Sequence, residues 1–460
     1  TTACTINHAR KSVDYFTVGL WCRSRKIWQK ENRMKGDVLV TLWLILGMAA
    51  SEVTRADIEL PNLISDGMVL QSGREVPIWG TAPADSEVSV SFAGQEARST
   101  VQPDGKWKLY LRPLEANASP RQMTIRNSGE KLTIAHVLVG DVWVAGGQSN
   151  MWYPLAHMSN REAQKADADG LTDVKFYRAL GGYRADIWDS VDYERALNVS
   201  AVCYFFMRDM ARAHPGVPIA VIDTSVCASW AEGWMSKDVL EVYNADAKHA
   251  LKIDIDGSDY GEEPSCHPGY WYEEIMTKTF PYGVKGVLWY QGEGNVMRAN
   301  QYETLLPALI RNWRVGFEQP DLPFLICQLP PIYNKTWDPK RNAWAYFREA
   351  QFHVAQNVPN AAIVVAPECG AAGNIHPRHK DEYGERLALA ARALAHGEDV
   401  VCSGPIYRGK EVSNDQIILH FDHVGSGLMA TGGDLKQFEV CGVDGRFVTA
   451  AARIVGETVV

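Results

Sequence analysis

One serine follows a short apolar run and a pair of glycines, a position from which its hydroxyl could act as a nucleophile. Residues 142–145 (Val-Trp-Val-Ala) predict a buried strand, which ends at Gly146 and Gly147, and Ser149 follows two residues later. Glycines after a strand let the backbone turn sharply and bring main-chain N–H groups close to the serine. Such a serine can attack a carbonyl while its own N–H stabilises the oxyanion. The same pattern also fits an ordinary polar turn after a core strand.

Three later apolar runs also predict strands, and each is followed by polar residues. These polar segments are residues 223–229, 291–295 and 368–377. Ligands of an open parallel sheet bind outside the carboxyl ends of its strands, so we expect these segments to meet at one edge. The edge would bring together Ser149, the amide of Asn295, small residues with free N–H groups and the imidazole of His376. That set supplies the nucleophile, oxyanion donors and base of serine acyl transfer.

The pattern over residues 140–400 predicts the sheet that would position these side chains. Continuous apolar runs, such as residues 217–222, 284–289 and 324–327, alternate with helical stretches, such as residues 201–213 and 380–396. Strands of this kind separated by helices indicate a parallel sheet covered on both faces. The central region is therefore expected to be an α/β domain.

The regions on either side predict β modules. Residues 52–139 alternate at period two between turn signals, which favours an N-terminal β-sandwich-like domain. Residues 401–460 return to β character and predict the start of a C-terminal β module that is truncated in this chain. The predicted fold class is α/β with flanking β modules.

Three segments of the chain resemble sequence blocks of the sialate O-acetylesterases, a family in the SGNH hydrolase superfamily. They are Gly147-Gln148-Ser149-Asn150-Met151, Trp289-Tyr290-Gln291-Gly292-Glu293-Gly294-Asn295 and Ile375-His376-Pro377. The likeness extends over nearly everything from residue 56 onward. It implies a three-layer parallel-sheet SGNH-hydrolase-like domain over residues 140–400. It also implies a carbohydrate esterase that removes O-acetyl groups from a sialoglycan or free sialic acid.

The resemblance assigns roles to individual residues. Ser149 is the expected nucleophile and His376 the general base and acid. The oxyanion donors would be the main-chain N–H groups of Ser149 and Ala228 and the side chain of Asn295. The expected substrate-binding residues are Gln148, Gln291, Trp152 and Trp230, with the tryptophans suited to stacking on sugar faces. This chemistry needs no metal or cofactor, and no Cys or His cluster has metal-ligand spacing.

Two departures from the family pattern bear on activity. Cys227 and Ala228 occupy positions where the family usually has two glycines. Gly373 and Asn374 occupy the positions of the usual aspartate before the histidine. Either a Ser–His dyad suffices, or another acid orients the imidazole, for which Glu368 is the best candidate. These departures leave open a glycan-binding pseudoenzyme, and the motifs also fit an esterase of another glycan such as xylan.

Composition and the N-terminal segment bear on partners and location. The net charge of -9 gives no reason to expect a nucleic-acid or anionic-membrane partner. Residues 34–51 combine a positive start, a short apolar run and a small-residue exit, which predicts a signal peptide. Residues 1–33 are expected to be a non-native upstream segment. With glycosylation sequons at Asn198 and Asn334, these features predict a secreted or lysosomal glycoprotein.

Overall fold

A computed structural model of the chain describes residues 58–159, 171, 173–179, 185–246, 252–255, 266–332, 343–436 and 438–460. The expected upstream segment (residues 1–33), the expected signal peptide (residues 34–51) and Asn334 lie outside these ranges. Within these ranges, no helix is long and apolar enough to cross a bilayer.

The strands and helices follow one another in the order that the apolar runs predict. The strands are β1 (Val69–Gln71), β2 (Val76–Thr81), β3 (Glu87–Phe92), β4 (Gln95–Thr100), β5 (Lys106–Leu111), β6 (Asn117–Asn127), β7 (Glu130–Gly147), β8 (Val174–Arg178), β9 (Asp189–Ser190), β10 (Ile219–Asp223), β11 (Gly286–Tyr290), β12 (Phe324–Cys327), β13 (Ala361–Val364), β14 (Ile406–Ser413), β15 (Gln416–Asp422), β16 (Glu439–Cys441), β17 (Phe447–Thr449), β18 (Ile454–Val455) and β19 (Thr458–Val459). The helices are α1 (Ser149–Trp152), α2 (Tyr193–Ala196), α3 (Ala201–Ala213), α4 (Lys237–Ala245), α5 (Thr277–Thr279), α6 (Ala299–Gly316), α7 (Ala343–Asn357) and α8 (Asp381–His396).

The strand that leads to Ser149 lies in the middle of a parallel array. The order along the array is β13-β12-β11-β7-β10-β8, and each neighbouring pair in it runs parallel. Strand β9 then pairs antiparallel with β8 at one end. Because the strands are parallel, the loops after β7, β10, β11 and β13 emerge at the same edge.

Helices cover both faces of this array. Side chains of successive strand residues point to opposite faces, so Trp143 and Gly146 of β7 face different sides. The Trp143 ring packs edge-on against Phe206 of α3, with 5.1 Å between ring centroids. On the other face, a Cβ added to Gly146 would lie 2.7 Å from the Trp313 ring of α6. Only glycine allows that indole to approach the sheet so closely.

Strand β7 also connects the central array to the N-terminal β region. Its first half pairs antiparallel with β6 and its middle pairs parallel with β1. Its second half pairs with β10 and β11. The predicted boundary between residues 139 and 140 therefore falls inside one 18-residue strand. Beyond α8, strands β14, β15, β19 and β18 form a separate antiparallel sheet.

Candidate active site

The turn after β7 presents Ser149 as the first residue of α1. Gly147 has a φ of +133°, and a Cβ at this position would lie 2.1 Å from the carbonyl oxygen of Tyr290. The next N–H, from Gln148, donates to that same oxygen at 3.1 Å. The close approach of β11 therefore requires glycine at residue 147 and fixes where the serine begins its helix.

The imidazole of His376 contacts the serine directly. Its Nε2 lies 2.8 Å from Ser149 Oγ, although the two residues are 227 positions apart in the sequence. The main-chain N–H of His376 donates to Asn374 Oδ1 at 2.9 Å, which shapes the loop that carries the imidazole. A base at hydrogen-bond distance from a hydroxyl is positioned to take its proton as the oxygen attacks a carbonyl.

The environment of His376 favours the neutral imidazole. Burial lowers its pKa from the ordinary value, and the positive charge of Lys380 lowers it further. Only the neutral imidazole can accept a proton from Ser149. The shift therefore extends the pH range in which His376 can act as a base into more acidic solution.

Two main-chain N–H groups next to the serine are free to bind an oxyanion. In the described part of the chain, neither the N–H of Ser149 nor that of Ala228 donates a hydrogen bond. The loop of Ala228 is held beside the serine turn, because Val226 N and Ser229 Oγ both donate to Gly147 O, at 3.0 and 3.2 Å. Unpaired donors at this position suit the negative oxygen of a tetrahedral intermediate.

Asn295, the third expected oxyanion donor, is 1% exposed and mostly occupied by protein contacts. Its Oδ1 accepts from Ala231 N at 3.1 Å and from Gln291 Nε2 at 2.7 Å. Its Nδ2 donates to Glu232 Oε2 at 2.8 Å. One of the two N–H groups of the Asn295 amide is therefore used within the protein. Only its other N–H group could bind an oxyanion.

The two glutamines expected to bind substrate instead join the loops of the site. Gln291 is fully buried; its Nε2 donates to Gln148 Oε1 at 3.2 Å and its Oε1 accepts from Tyr302 Oη at 3.0 Å. Gln148 is 5% exposed, and its Oε1 also accepts from Gly294 N at 3.3 Å. Gln291 has no exposed surface in this structure, and its contact with substrate stays a prediction. It holds the loop of residues 291–295 against the serine turn.

The two tryptophans expected to bind substrate lie beside cationic side chains. Trp152 is 36% exposed, and the guanidinium of Arg178 lies 5.8 Å from its ring centroid. Trp230 is partly buried under the guanidinium of Arg298, at 4.6 Å. Both rings stay candidates for stacking on a sugar.

Glu368 does not orient His376. Its side chain is 42% exposed and forms an ion pair with Arg386 of α8. Among the described residues, the imidazole makes its hydrogen bond through Nε2 to Ser149, and no carboxylate contacts Nδ1. The expectation that Glu368 is the third catalytic residue is therefore wrong, because its carboxylate pairs with Arg386 of α8 and does not reach the imidazole. Among the described residues, Ser149 and His376 therefore make a hydrogen-bonded pair without a carboxylate, called the dyad below.

Sequence reasoning missed two polar residues buried beneath the dyad, Asn150 and Lys380. They are 1% and 0% exposed, and Lys380 Nζ donates to Asn150 Oδ1 at 2.5 Å. Asn150 was visible as the residue after the nucleophile, and Lys380 as a lysine four residues after His376. A lysine just before a helix usually faces solvent, so its burial cannot be predicted from the local sequence.

A further group of potential metal ligands lies outside the site. Ligand atoms of His214, His396 and Glu398 come within 4.8 Å of one another. The two imidazoles are stacked with 4.3 Å between centroids, and His214 Nε2 lies 2.6 Å from Glu398 Oε1. Each histidine thus already faces a carboxylate, since His396 Nε2 lies 3.1 Å from Asp141 Oδ2.

Replacing Ala228 by glycine is expected to stabilise the protein without loss of activity. Ala228 has a φ of +60°, where a Cβ costs roughly 1–2 kcal/mol. We expect Ala228→Gly to raise the free energy of unfolding by about 1 kcal/mol in denaturant titration, since relief of strain exceeds the added chain entropy. The N–H of residue 228 is kept, so esterase activity should not fall.

Two other alanines provide matched controls for this substitution. Ala93 is exposed with a φ of +50°, so Ala93→Gly should give a similar gain far from the site. Ala84 is exposed but is not among the residues with positive φ, so Ala84→Gly should lower stability by about 0.4–1 kcal/mol. Destabilisation by Ala228→Gly, as at Ala84, would contradict the strain at residue 228.

Comparisons with known proteins agree on one family. A family model described as carbohydrate esterase, sialic acid-specific acetylesterase, matches residues 139–393, more than half of the chain. The sialate O-acetylesterase of Homo sapiens is 26% identical over 417 residues, which span 80% of this chain and 78% of that protein. The sialate O-acetylesterase of Rattus norvegicus is 27% identical over 450 residues, spanning 82% and 81%.

A solved structure supports the same conclusion. The crystal structure of a carbohydrate acetylesterase from Xanthomonas citri aligns with a TM-score of 0.77 and 32% identity, over 87% of this chain and 90% of that one. The family match runs from the second half of β7 through most of α8, and therefore includes both Ser149 and His376. On this evidence the chain is an esterase that belongs to the sialic acid-specific acetylesterase family of carbohydrate esterases.

Proposed function

We propose that this esterase hydrolyses O-acetyl esters of sialic acids through a covalent acetyl-serine intermediate. The observation that carries the proposal is the 2.8 Å contact between His376 Nε2 and Ser149 Oγ. The unpaired N–H groups of Ser149 and Ala228 beside that contact support it. The sialate esterases among the relatives support the choice of sugar.

The reaction proceeds in two halves. Ser149 Oγ attacks the acetyl carbonyl carbon while His376 Nε2 takes the hydroxyl proton, and the oxyanion binds to the free N–H groups. The C–O bond to the sugar breaks, and His376 returns the proton to the departing sugar oxygen. Water, losing a proton to His376, then attacks the acetyl-serine, and acetate leaves as the proton returns to Ser149 Oγ. The products are acetate and the de-acetylated sugar.

We further propose that residues 140–400 form a three-layer SGNH-like domain. The parallel order of the central strands and the packing of α3 and α6 on opposite faces support this proposal. Ser149 follows the carboxyl end of the central strand, which is where such a sheet binds ligands. Secretion or a lysosomal location is also part of the proposal. The lowered pKa of His376 suits a base that works in mildly acidic compartments.

Acetate release from matched substrates tests both the reaction and the sugar. We expect the protein to release acetate from O-acetylated sialic acid with a higher kcat/KM than from acetylated xylan. A higher kcat/KM for acetylated xylan would still agree with esterase activity but would overturn the assignment of sialic acid as the substrate. If the protein and its Ser149→Ala variant release acetate at the same background rate, yet both bind the glycan, the chain is a glycan-binding pseudoenzyme.

Arg378 is expected to favour a sialic acid over a neutral sugar. It is exposed two residues after His376; burial raises the pKa of Tyr153, the residue after α1, and the positive charge of Arg378 opposes that rise. Sialic acids carry a carboxylate, which a nearby guanidinium binds well. Arg378→Gln should raise KM for O-acetylated sialic acid by about tenfold and leave KM for a neutral acetylated sugar unchanged.

The matched control for this substitution is Arg386→Gln. Arg386 is also partly exposed, but it pairs with Glu368 on α8. Its replacement should leave both KM values unchanged. If Arg378→Gln raises KM equally for the charged and the neutral substrate, Arg378 does not bind the carboxylate of the sialic acid.

A further inference from the structure

A buried polar network lies directly beneath the dyad. Its three side chains, Asn150, Glu293 and Lys380, are 1%, 7% and 0% exposed. Asn150 comes from the serine turn, Glu293 from the loop after β11, and Lys380 from the segment after His376. Polar groups this deeply buried are costly unless each finds a partner.

The amide of Asn150 is bonded on both of its ends. Its Oδ1 accepts from Lys380 Nζ at 2.5 Å, and its Nδ2 donates to Glu293 Oε1 at 2.5 Å and to the main-chain oxygen of Ile375 at 2.9 Å. The ammonium can only donate, whereas the carboxylate and the carbonyl accept. The chemistry of the partners therefore sets the orientation of the amide.

These bonds join the two segments that carry the dyad. Asn150 directly follows Ser149, and Ile375 directly precedes His376, so the bond from Nδ2 to Ile375 O spans the gap between them. Glu368, which the sequence suggested as the acid that orients the imidazole, pairs with Arg386 instead. Resting on the esterase function proposed above, we propose that Lys380 is a positioning residue: its ammonium fixes Asn150, which fastens the main chain beside His376 to the turn that carries Ser149.

Groups from several elements surround the ammonium of Lys380. The rings of Tyr153 and Tyr290 lie 5.4 and 5.1 Å from Nζ, where their faces attract a cation. Burial lowers the pKa of Lys380 to about 8, and the carboxylate of Glu293 opposes that shift. The thiols of Cys327 and Cys369 also face it, and burial raises the pKa of both, so they are uncharged at neutral pH. Lys380 is therefore a cation at and below neutral pH.

The charge of Lys380 also reaches the catalytic imidazole. It is the second cause, after burial, of the lowered pKa of His376. Loss of the charge should therefore move the acid midpoint of kcat/KM to higher pH. A variant that merely loses stability would leave this midpoint unmoved, so the pH profile shows whether the charge acts at the imidazole, and kcat reports the positioning of the dyad.

The test compares Lys380→Met with wild-type protein in acetate release and in the pH profile of kcat/KM. We expect kcat to fall about 100-fold with little change in KM, because misplacing reacting groups by about 1 Å has an effect of that size. We also expect the acid midpoint to move upward. A folded Lys380→Met protein with wild-type kcat and an unmoved midpoint would overturn the proposal.

A second variant covers the case in which Lys380→Met does not fold because Glu293 is left unpaired. Lys380→Met with Glu293→Gln is uncharged in the network, and the glutamine oxygen can still accept from Asn150. This variant should fold and show the same loss of kcat and the same upward shift of the midpoint. Recovery of wild-type kcat and midpoint would show that Lys380 only balances the charge of Glu293, and would overturn the proposal.

Two further variants complete the experiment. Leu387→Ala removes a fully buried side chain from α8 and should lower the melting temperature. Its kcat and acid midpoint should remain those of wild-type protein. Ser149→Ala is measured in parallel. If it is as active as wild-type protein, the proposed function fails whatever Lys380 does, whereas an inactive Ser149→Ala with a fully active Lys380→Met removes only the positioning role.

Discussion

Ser149→Ala is expected to lower kcat for acetyl-ester hydrolysis by roughly 10⁴- to 10⁶-fold, the range seen when a serine nucleophile is removed from a hydrolase. The variant has no oxygen at the position that faces His376 Nε2, so it cannot form the acetyl-serine intermediate. Substrate binding should persist, because the free N–H groups and the tryptophans are unchanged. The measurement is acetate release in the steady state, with binding followed separately by calorimetry.

A nearby serine provides the matched control. Ser159 is exposed, and its main-chain N–H lies 3.4 Å from the carbonyl oxygen of Arg378, so it lies on the same side of the molecule as the dyad. Ser159→Ala should retain activity within about twofold. Retention of a tenth or more of wild-type kcat by Ser149→Ala would contradict its role as the nucleophile.

His376→Ala is expected to cause a loss of the same order as Ser149→Ala, and the double variant should be no worse than either single one. Groups that act together in one step are strongly non-additive, because once one is lost the other has no partner. Residual activity should come from the oxyanion donors alone. The measurement is kcat for the two single variants and the double variant at one pH.

Glu368→Gln, measured in the same series, tests whether this carboxylate orients His376. Because this carboxylate pairs with Arg386 and does not reach His376, Glu368→Gln should keep kcat within about twofold. A loss approaching that of His376→Ala would restore Glu368 as the orienting acid. If the fold-losses of kcat in Ser149→Ala and His376→Ala multiply in the double variant, the two residues do not act together in one step.

The strands and helices of the central region were readable from the sequence because burial leaves a strong pattern. Apolar residues 324–327 are strand β12 (Phe324–Cys327), and the helical pattern over residues 201–213 is α3 (Ala201–Ala213). The predicted boundary between residues 139 and 140 falls inside strand β7. Residues 137–147 are buried without interruption, because β7 crosses from the N-terminal β region into the parallel array. Local patterns do not show that one strand serves two regions.

The parts of the site differ in how well the sequence predicts them. Ser149 and His376 lie in segments where glycine or proline dictates the backbone, so their neighbourhoods are distinctive in sequence. The direction of a flexible acidic side chain is not encoded locally, and Glu368 was misassigned for that reason. Lys380 was missed because its burial depends on Asn150 and Glu293, which come from distant segments.

A fluorophosphonate, which attaches covalently to activated serines, shows whether Ser149 is the nucleophile of this esterase. Protein is treated with the reagent, digested and sequenced by mass spectrometry, while residual acetate release is followed in parallel. We expect a single modification at Ser149, loss of activity in proportion to labelling, and no labelling of His376→Ala. Full modification of Ser149 with turnover intact, or loss of turnover with the label on another residue, would contradict that role of Ser149.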